Sequence, residues 1–338
     1  MTQQERRALQ SLDIRLKRLF QTSATQATQN HAAALQRATR FEERLSQGLF
    51  PEMSASDIAR ARQNYALQAL RQEGIVNGIM QDMARTGDLA GEMIRGEQLN
   101  IFRQGYNAIA TGLQRQMGNV GLRVDWGFYN REQLQILLEN SPESPFTKVA
   151  YRNLGLGNER FRRAVENKLR ETLAEAIVLG EGMPDITRRI QAITGGEYYK
   201  ARRIARTETL RVANQGRYEA AKQAIDEYGI IATKVWVSTV DDRVRDDHAD
   251  MKGAEAGEDG YFVLPNGEKA LHPLDPDLSA EQSINCRCSH LYRIPQSRES
   301  QAYRDLKARW EEQNRDNMPT AEQNKRRQQE MMAAQRGQ

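Results

Sequence analysis

Leu9, Leu12, Leu16 and Leu19 recur at three- and four-residue steps, the spacing that stacks side chains on one face of an α-helix. The register weakens into Ala, Gln and Thr and resumes at Phe41 and Leu45. The pattern predicts helix over 5–48, stopped by Gly48 with Pro51 just beyond. Ser54 or Ser56 is placed to cap a following helix that carries Ile58, Tyr65 and Leu70. Helical pattern continues in pieces to about residue 117, with breaks expected at Gly74 and Gly87. Gly118, Gly121, Trp126 and Gly127 mark a connection, and a short helix over 131–139 ends in the proline-containing stretch 141–145. Phe161, Val165, Leu169, Leu173 and Ile177 then form one stripe on a helix over 158–179. Gly180 and Gly182 end it, and Pro184 suits the first turn of a helix over 184–193. A separate long helix is expected over 198–228. Its Ala201, Ala205, Thr209, Ala213, Gly216, Ala220 and Ala224 make a small-residue face that allows a second helix to approach closely.

At Gly229 the period shifts from helical to alternating. Ile231, Thr233, Val235 and Val237 alternate, with Trp236 on the opposite face, and this reads as a strand. A second strand is expected over 261–264, followed by a turn at Pro265, Asn266 and Gly267, and a third over 291–294. Beyond residue 296 apolar side chains thin out. Leu306 and Trp310 can anchor one helix, and 320–338 is expected to be mobile until docked. The fold class is therefore α+β: a mainly helical body, then a small β-containing module suited to a zinc staple, then a polar tail. The expected divisions are a helical region over 1–150, a second helical part over 151–229, the β module over 230–295 and the tail over 296–338.

Composition narrows the class. The chain has 338 residues, 39% of them hydrophobic and 7% aromatic, which is lean for an enzyme core of this length. No run of 18 apolar residues is present to span a membrane, and the polar N-terminus leads into no apolar segment of a secretory signal. Two cysteines exclude a disulfide-rich scaffold. The net charge is only +4, but it is unevenly placed. The segment 241–281 holds twelve acidic residues against four basic ones, so the remaining chain carries +12. An acidic module thus sits in a basic body, whose contact with nucleic acid would be non-specific.

Three of the four histidines (His248, His272 and His290) and both cysteines (Cys286 and Cys288) fall within 43 residues. Thiolates and imidazoles are the usual ligands of zinc, and four of them close a tetrahedral structural site. A β module too small to bury much core has reason to use one. The Cys-x-Cys spacing is not the usual zinc knuckle, so reduced thiols with incidental histidines stand as the other reading. If metal is bound, His248, Cys286 and Cys288 are the first ligands, with His272, His290 or Asp242 as the fourth. Enzyme templates fit poorly. No His-Glu-x-x-His occurs, and the thiols are spaced wrongly for a zinc deaminase. Asp241, Asp242, Asp246, Asp247 and Asp250 lack the glycine and closing glutamate of an EF-hand loop. A metal-dependent nuclease or hydrolase that uses the His/Cys/Asp cluster remains the enzymatic alternative.

Two stretches gain meaning together. Arg206-Thr207-Glu208 stands on the small-faced helix and is followed by Asn214. Downstream come Trp236, the Asp242-Arg243-Val244-Arg245 segment with His248, and Asn285-Cys286-Arg287-Cys288. This ordered set resembles the Mu F-like minor head proteins, or phage head morphogenesis proteins, of tailed bacteriophages, over roughly residues 160–295. The resemblance implies a non-enzymatic virion protein, located at the capsid interior or portal vertex and in the host cytoplasm during assembly. Its implied partners are the portal, capsid or scaffolding proteins, and its implied roles are head morphogenesis and DNA packaging or ejection. Charges on a half-buried helix must be paired. Arg206 and Glu208 are therefore expected to lock the helix to the polar turn around Asp242 and Arg245, a structural role rather than a catalytic one.

Overall fold

The computed structural model describes residues 2–48, 52–122, 159–297 and 300–313. The short helix expected over 131–139 and the tail from 314 onward lie outside the described residues. Those described are mainly helical, with α1 at Gln3–Asn30, α2 at Ala32–Ser46, α3 at Ala55–Gln72, α4 at Ile75–Asn119, α5 at Glu159–Val178 and α6 at Met183–Tyr228. A smaller β-containing part follows: β1 at Thr233–Val237, α7 at Asp246–Asp250, β2 at Phe262–Val263, β3 at Lys269–Ala270, α8 at Ala280–Ser283 and β4 at Ser289–Arg293. Helix α9, Gln301–Gln313, comes last and buries Leu306. No helix among the described residues is long and apolar enough to cross a membrane.

Helix starts and stops follow local chemistry. Thr2 caps α1 in a capping box, its hydroxyl accepting from the Glu5 amide while the Glu5 carboxylate accepts from the Thr2 amide. Ser54, not Ser56, caps α3. Gly74 and Gly180 end α3 and α5 with positive φ of 62° and 66°, where a side chain would be strained.

Three boundaries differ from the sequence reading. The helix expected over 5–48 is two helices, parted at His31, whose φ of −107° and ψ of 6° interrupt the ladder. The His31 ring lies against Gly78 of α4, where a Cβ would collide with it, and its Nε2 stands 3.5 Å from the Asp82 carboxylate. Gly87 does not break α4, and Gly195-Gly196 do not break α6. Glycine costs a helix only about 1 kcal/mol relative to alanine. On either side of Gly87, buried Met83 and Ile94 each contribute about 1.5–3 kcal/mol. Packing overrides the local signal.

The described residues form two compact units. The first takes the chain up to Ile101, α5 with α6 as far as Val212, and Leu274–Arg287. One of its apolar clusters joins Leu35 and Ala38 of α2, Leu70 of α3, Ile75 and Ile79 of α4, and Ile186 and Ile190 of α6 to Leu169, Leu173 and Ile177 of the α5 stripe. A second joins Leu12, Leu16 and Phe20 of α1 to Ala90 and Ile94 of α4 and to Ala201 and Ala205 of α6. Buried Glu42 is met by Arg62 at 2.8 Å, and Arg62 also donates to the Val178 carbonyl.

The second unit takes α4 from Phe102, Ala213–Pro273, and the chain from Cys288. Here the small face of α6 meets α4. A Cβ on Gly105 would collide with the Ala213 carbonyl oxygen, and one on Gly216 with that of Phe102. The two helices thus cross backbone to backbone. Strands β1 and β4 pair antiparallel with Trp236 opposite His290, and β2 pairs with β3 with Phe262 opposite Ala270. The free edge of β1 is taken by the segment after α7: Trp236 donates to the Ala254 carbonyl and Ala256 to that of Lys234. Both faces of β1 are covered, so Val235 and Trp236 are equally buried and no in–out alternation survives.

Candidate metal centre

His248, Cys286 and Cys288 are all buried, and one potential ligand atom from each lies within 4.8 Å of the others. The chain builds this trio from three local features. Arg245 opens the one-and-a-half-turn helix α7, which carries His248 beneath Trp236, the two rings meeting edge-on at 5.5 Å. The Ser238 hydroxyl donates to the His248 carbonyl and holds α7 to the end of β1. Asn285 takes a left-handed φ of 61°, a conformation its short side chain tolerates, and turns the chain so that Cys286 and Cys288 follow. The Asn285 amide donates to Thr207 Oγ1 at 3.0 Å.

One edge of the trio has the length that a bound zinc ion would set. Zinc–sulfur and zinc–nitrogen bonds of about 2.3 and 2.0 Å at a tetrahedral angle set a sulfur–nitrogen edge of about 3.5 Å. Cys288 Sγ lies 3.5 Å from His248 Nδ1. The donor set of two thiols and one imidazole is soft enough to select zinc over calcium or magnesium. Among the described residues no fourth His, Cys, Asp or Glu joins this group.

The other histidines form a separate layer. His272 holds its Nδ1 3.0 Å from the Pro273 carbonyl and its Nε2 2.9 Å from Gln215 Oε1. His290 stacks on it, ring centres 5.8 Å apart and planes at 11°. Among the described residues neither ring nitrogen of His290 has a hydrogen-bond partner. Burial, helped by the nearby charges of His272, Arg217 and Lys234, pushes its pKa well below the usual histidine value, so the ring is neutral. Asp242 is exposed in the acidic turn.

Helix α6 presents a row of buried polar groups. Glu208 accepts from Arg211 Nη1 at 3.1 and 3.2 Å, and Arg211 Nε donates to the Leu274 carbonyl. Leu274 itself has a φ of 65°, an uncommon conformation for a bulky residue. Asn214 donates to the carbonyls of Pro273 and Cys288 and accepts from Arg217. Arg206 is half-buried one turn before this row. Arg211 and Gln215 were not singled out from the sequence, and Lys234 only as the neighbour of Trp236 in the motif set. The Lys234 ammonium is buried, donates to the Gly260 and Leu271 carbonyls, and lies 5.1 Å from the Phe262 ring centre. An alternating strand signal does not reveal that a lysine within it points inward.

Residues 167–291 match the family described as Phage Mu protein F like protein, a span that contains the metal trio and the α6 polar row. Over that span the chain is similar to Phage Mu protein F like protein. Among curated relatives, the Minor head protein GP7 of Bacillus phage SPP1 is 30% identical over 136 residues, which are 40% of this chain and 43% of that protein. The NAD(+)--arginine ADP-ribosyltransferase EFV of Enterococcus faecalis (strain ATCC 700802 / V583) is 29% identical over 199 residues, covering 58% of this chain and 38% of that protein. The protein YqbB of Bacillus subtilis (strain 168) is 24% identical over 168 residues, 46% of this chain and 54% of its own. The chain spans about two fifths to one half of the length of these relatives. No solved structure matches it.

Proposed function

We propose that the protein is a minor head component of a tailed phage or prophage, joined near the portal or inner capsid during head assembly and acting without catalysis of its own. The observation that carries this reading is that the family match over residues 167–291 contains the buried His248/Cys286/Cys288 group, and a minor head protein of phage SPP1 is among the relatives. The metal's role in this reading is structural. Zinc would tie α7 to the Cys-x-Cys turn, and the α6 row of Thr207, Glu208, Arg211 and Asn214 would anchor that turn to the helical body. The partners are the portal, the capsid shell or scaffolding protein, and the site of action is the virion after assembly in the host cytoplasm.

Co-expression with a portal and shell protein of the same phage or prophage, followed by sedimentation of procapsids, tests the proposal. Recovery of this chain in the procapsid fraction, dependent on the portal or shell, is the expected result. Purified chain that stays wholly out of procapsids, or that hydrolyses NAD⁺ or DNA at enzymatic rates, would overturn it. The last arm matters because ADP-ribosyl transfer is the named activity of one relative.

A further inference from the structure

The outward face of α1 lies outside the family match, and its cations pair with no group among the described residues. Residues 1–48 hold eight Lys and Arg against four Asp and Glu, an excess equal to the net charge of the whole protein. The two carboxylates of α1 are both occupied: Glu5 closes the capping box, and Asp13 meets Arg202 at 3.0 Å and the Tyr198 hydroxyl at 2.8 Å. Arg15 pairs with Glu97. Arg6, Arg7, Lys17 and Arg18 are exposed, and none has an ion pair or side-chain hydrogen bond among the described residues.

These four cations are not scattered. Arg6 and Lys17, like Arg7 and Arg18, are eleven residues apart, about three helical turns, so both pairs fall on one side of the helix. Gln3, Gln10, Ile14 and Gln21 share that side and are exposed too. The ribbon from Gln3 to Gln21 therefore presents four cations and three amides with no carboxylate among them. At about 1.5 Å per residue it is about 27 Å long, the rise of about eight base pairs. At its C-terminal end Lys17 and Gln21 open into a groove of about 450 Å³ beside Tyr198 and Tyr199, and Tyr199 is 66% exposed.

We infer that this face of α1 is a binding surface for the phosphate backbone of double-stranded DNA. Charge complementarity selects the partner. A rigid cationic ribbon without acids suits a regularly spaced polyanion, and its amides donate to phosphate oxygens without reading bases, so binding is independent of sequence. The mostly polar face lacks the apolar half that an interfacial membrane helix inserts among lipids. The inference rests on the head-protein reading only for the source of the DNA, and it assigns the N-terminal region a task that the Mu F-like domain does not supply.

The test uses the full-length chain and a random-sequence 30-base-pair duplex, titrated by fluorescence anisotropy at several salt concentrations. Four phosphate contacts contribute a slope of about −3.6 in log affinity against log salt, so affinity should fall at least about a hundredfold between 50 and 200 mM. In the variant R6Q/R7Q/K17Q/R18Q the slope should be shallower by three to four units. A charge-matched control, K168Q/K222Q/K252Q/R293Q, should change it by less than one. All eight side chains are exposed, and circular dichroism will show whether both variants fold. Equal losses in the two variants, absence of duplex binding by the parent, or binding only to phosphatidylserine vesicles would each overturn the inference. Procapsid association of the α1 variant should be unchanged. Its loss with DNA binding intact would count against the head-protein reading instead.

Discussion

At Gly216 a single hydrogen stands where any other residue would place a carbon into the Phe102 carbonyl. Because the obstacle is the backbone of a packed helix, it cannot swing aside as a side chain would. Gly216→Ala should therefore cost at least about 3 kcal/mol. A melting temperature lower by about 4 °C or more is expected in differential scanning calorimetry, and an unchanged value would show that α4 and α6 do not cross at these residues. His290 makes a different kind of statement. The folded protein keeps it neutral, whereas the unfolded chain takes up a proton as the pH falls below about 6.5. Its contribution to stability is thus fully present above about pH 6.5 and is lost as the pH falls towards its depressed folded value, at up to about 1.4 kcal/mol per pH unit. Denaturant titrations at pH 7.5, 6.5 and 5.5 should show a flatter acid limb for His290→Phe than for the parent. Parallel limbs would mean that the ring is hydrated or protonated in the native state.

Among the elements, α6 carries the largest conflict between local signal and outcome. Gly195 and Gly196 sit within a continuous 46-residue helix, and a Cβ on either would meet nothing among the described residues within 4 Å. Replacing both with alanine should stabilise the protein by about 1–2 kcal/mol, because each glycine costs a helix about 0.8–1 kcal/mol. A lower melting temperature in the double variant would show that the helix must open there. The same conflict explains what was legible. Four-residue apolar steps identified α5, and Val165, Leu169, Leu173 and Ile177 are all buried. Glycine positions alone misplaced the ends of α4 and α6, since packing of Ile94, Ile190 and Ala201 outweighs them. Strand β3 has two residues, too few for any period to register. The clustering of Cys286, Cys288 and His248 was visible as composition. Which histidine stands with the thiols is decided by the turns at α7 and Asn285, and no spacing rule reaches across the 37 residues between His248 and Cys286.

For the molecule as a whole, the question is what keeps the β-containing part folded. Its two sheets have two strands each, with strands of two to five residues, and such sheets are marginal in water on their own. Polar anchors supply part of the answer: Gln116 of α4 donates to the Tyr292 carbonyl and accepts from the Ile294 amide, and Asn214 of α6 holds the Cys288 carbonyl. A zinc ion on His248, Cys286 and Cys288 would supply the rest, because site assembly and folding share one free energy. Elemental analysis should find about one zinc per chain, lost in Cys286→Ser and in Cys288→Ser. Chelation should raise hydrogen exchange in β1, in β4 and in the segment from α7 to Ala256. The change should spread into α6 beyond Asn214 through the Cys288 carbonyl, while α2 and α3, which pack with α5 around Leu35, Leu70 and Leu173, keep their protection. Metal-free protein with unaltered exchange after both serine substitutions would show that the module stands on its polar anchors alone and that the two thiols are ordinary buried cysteines.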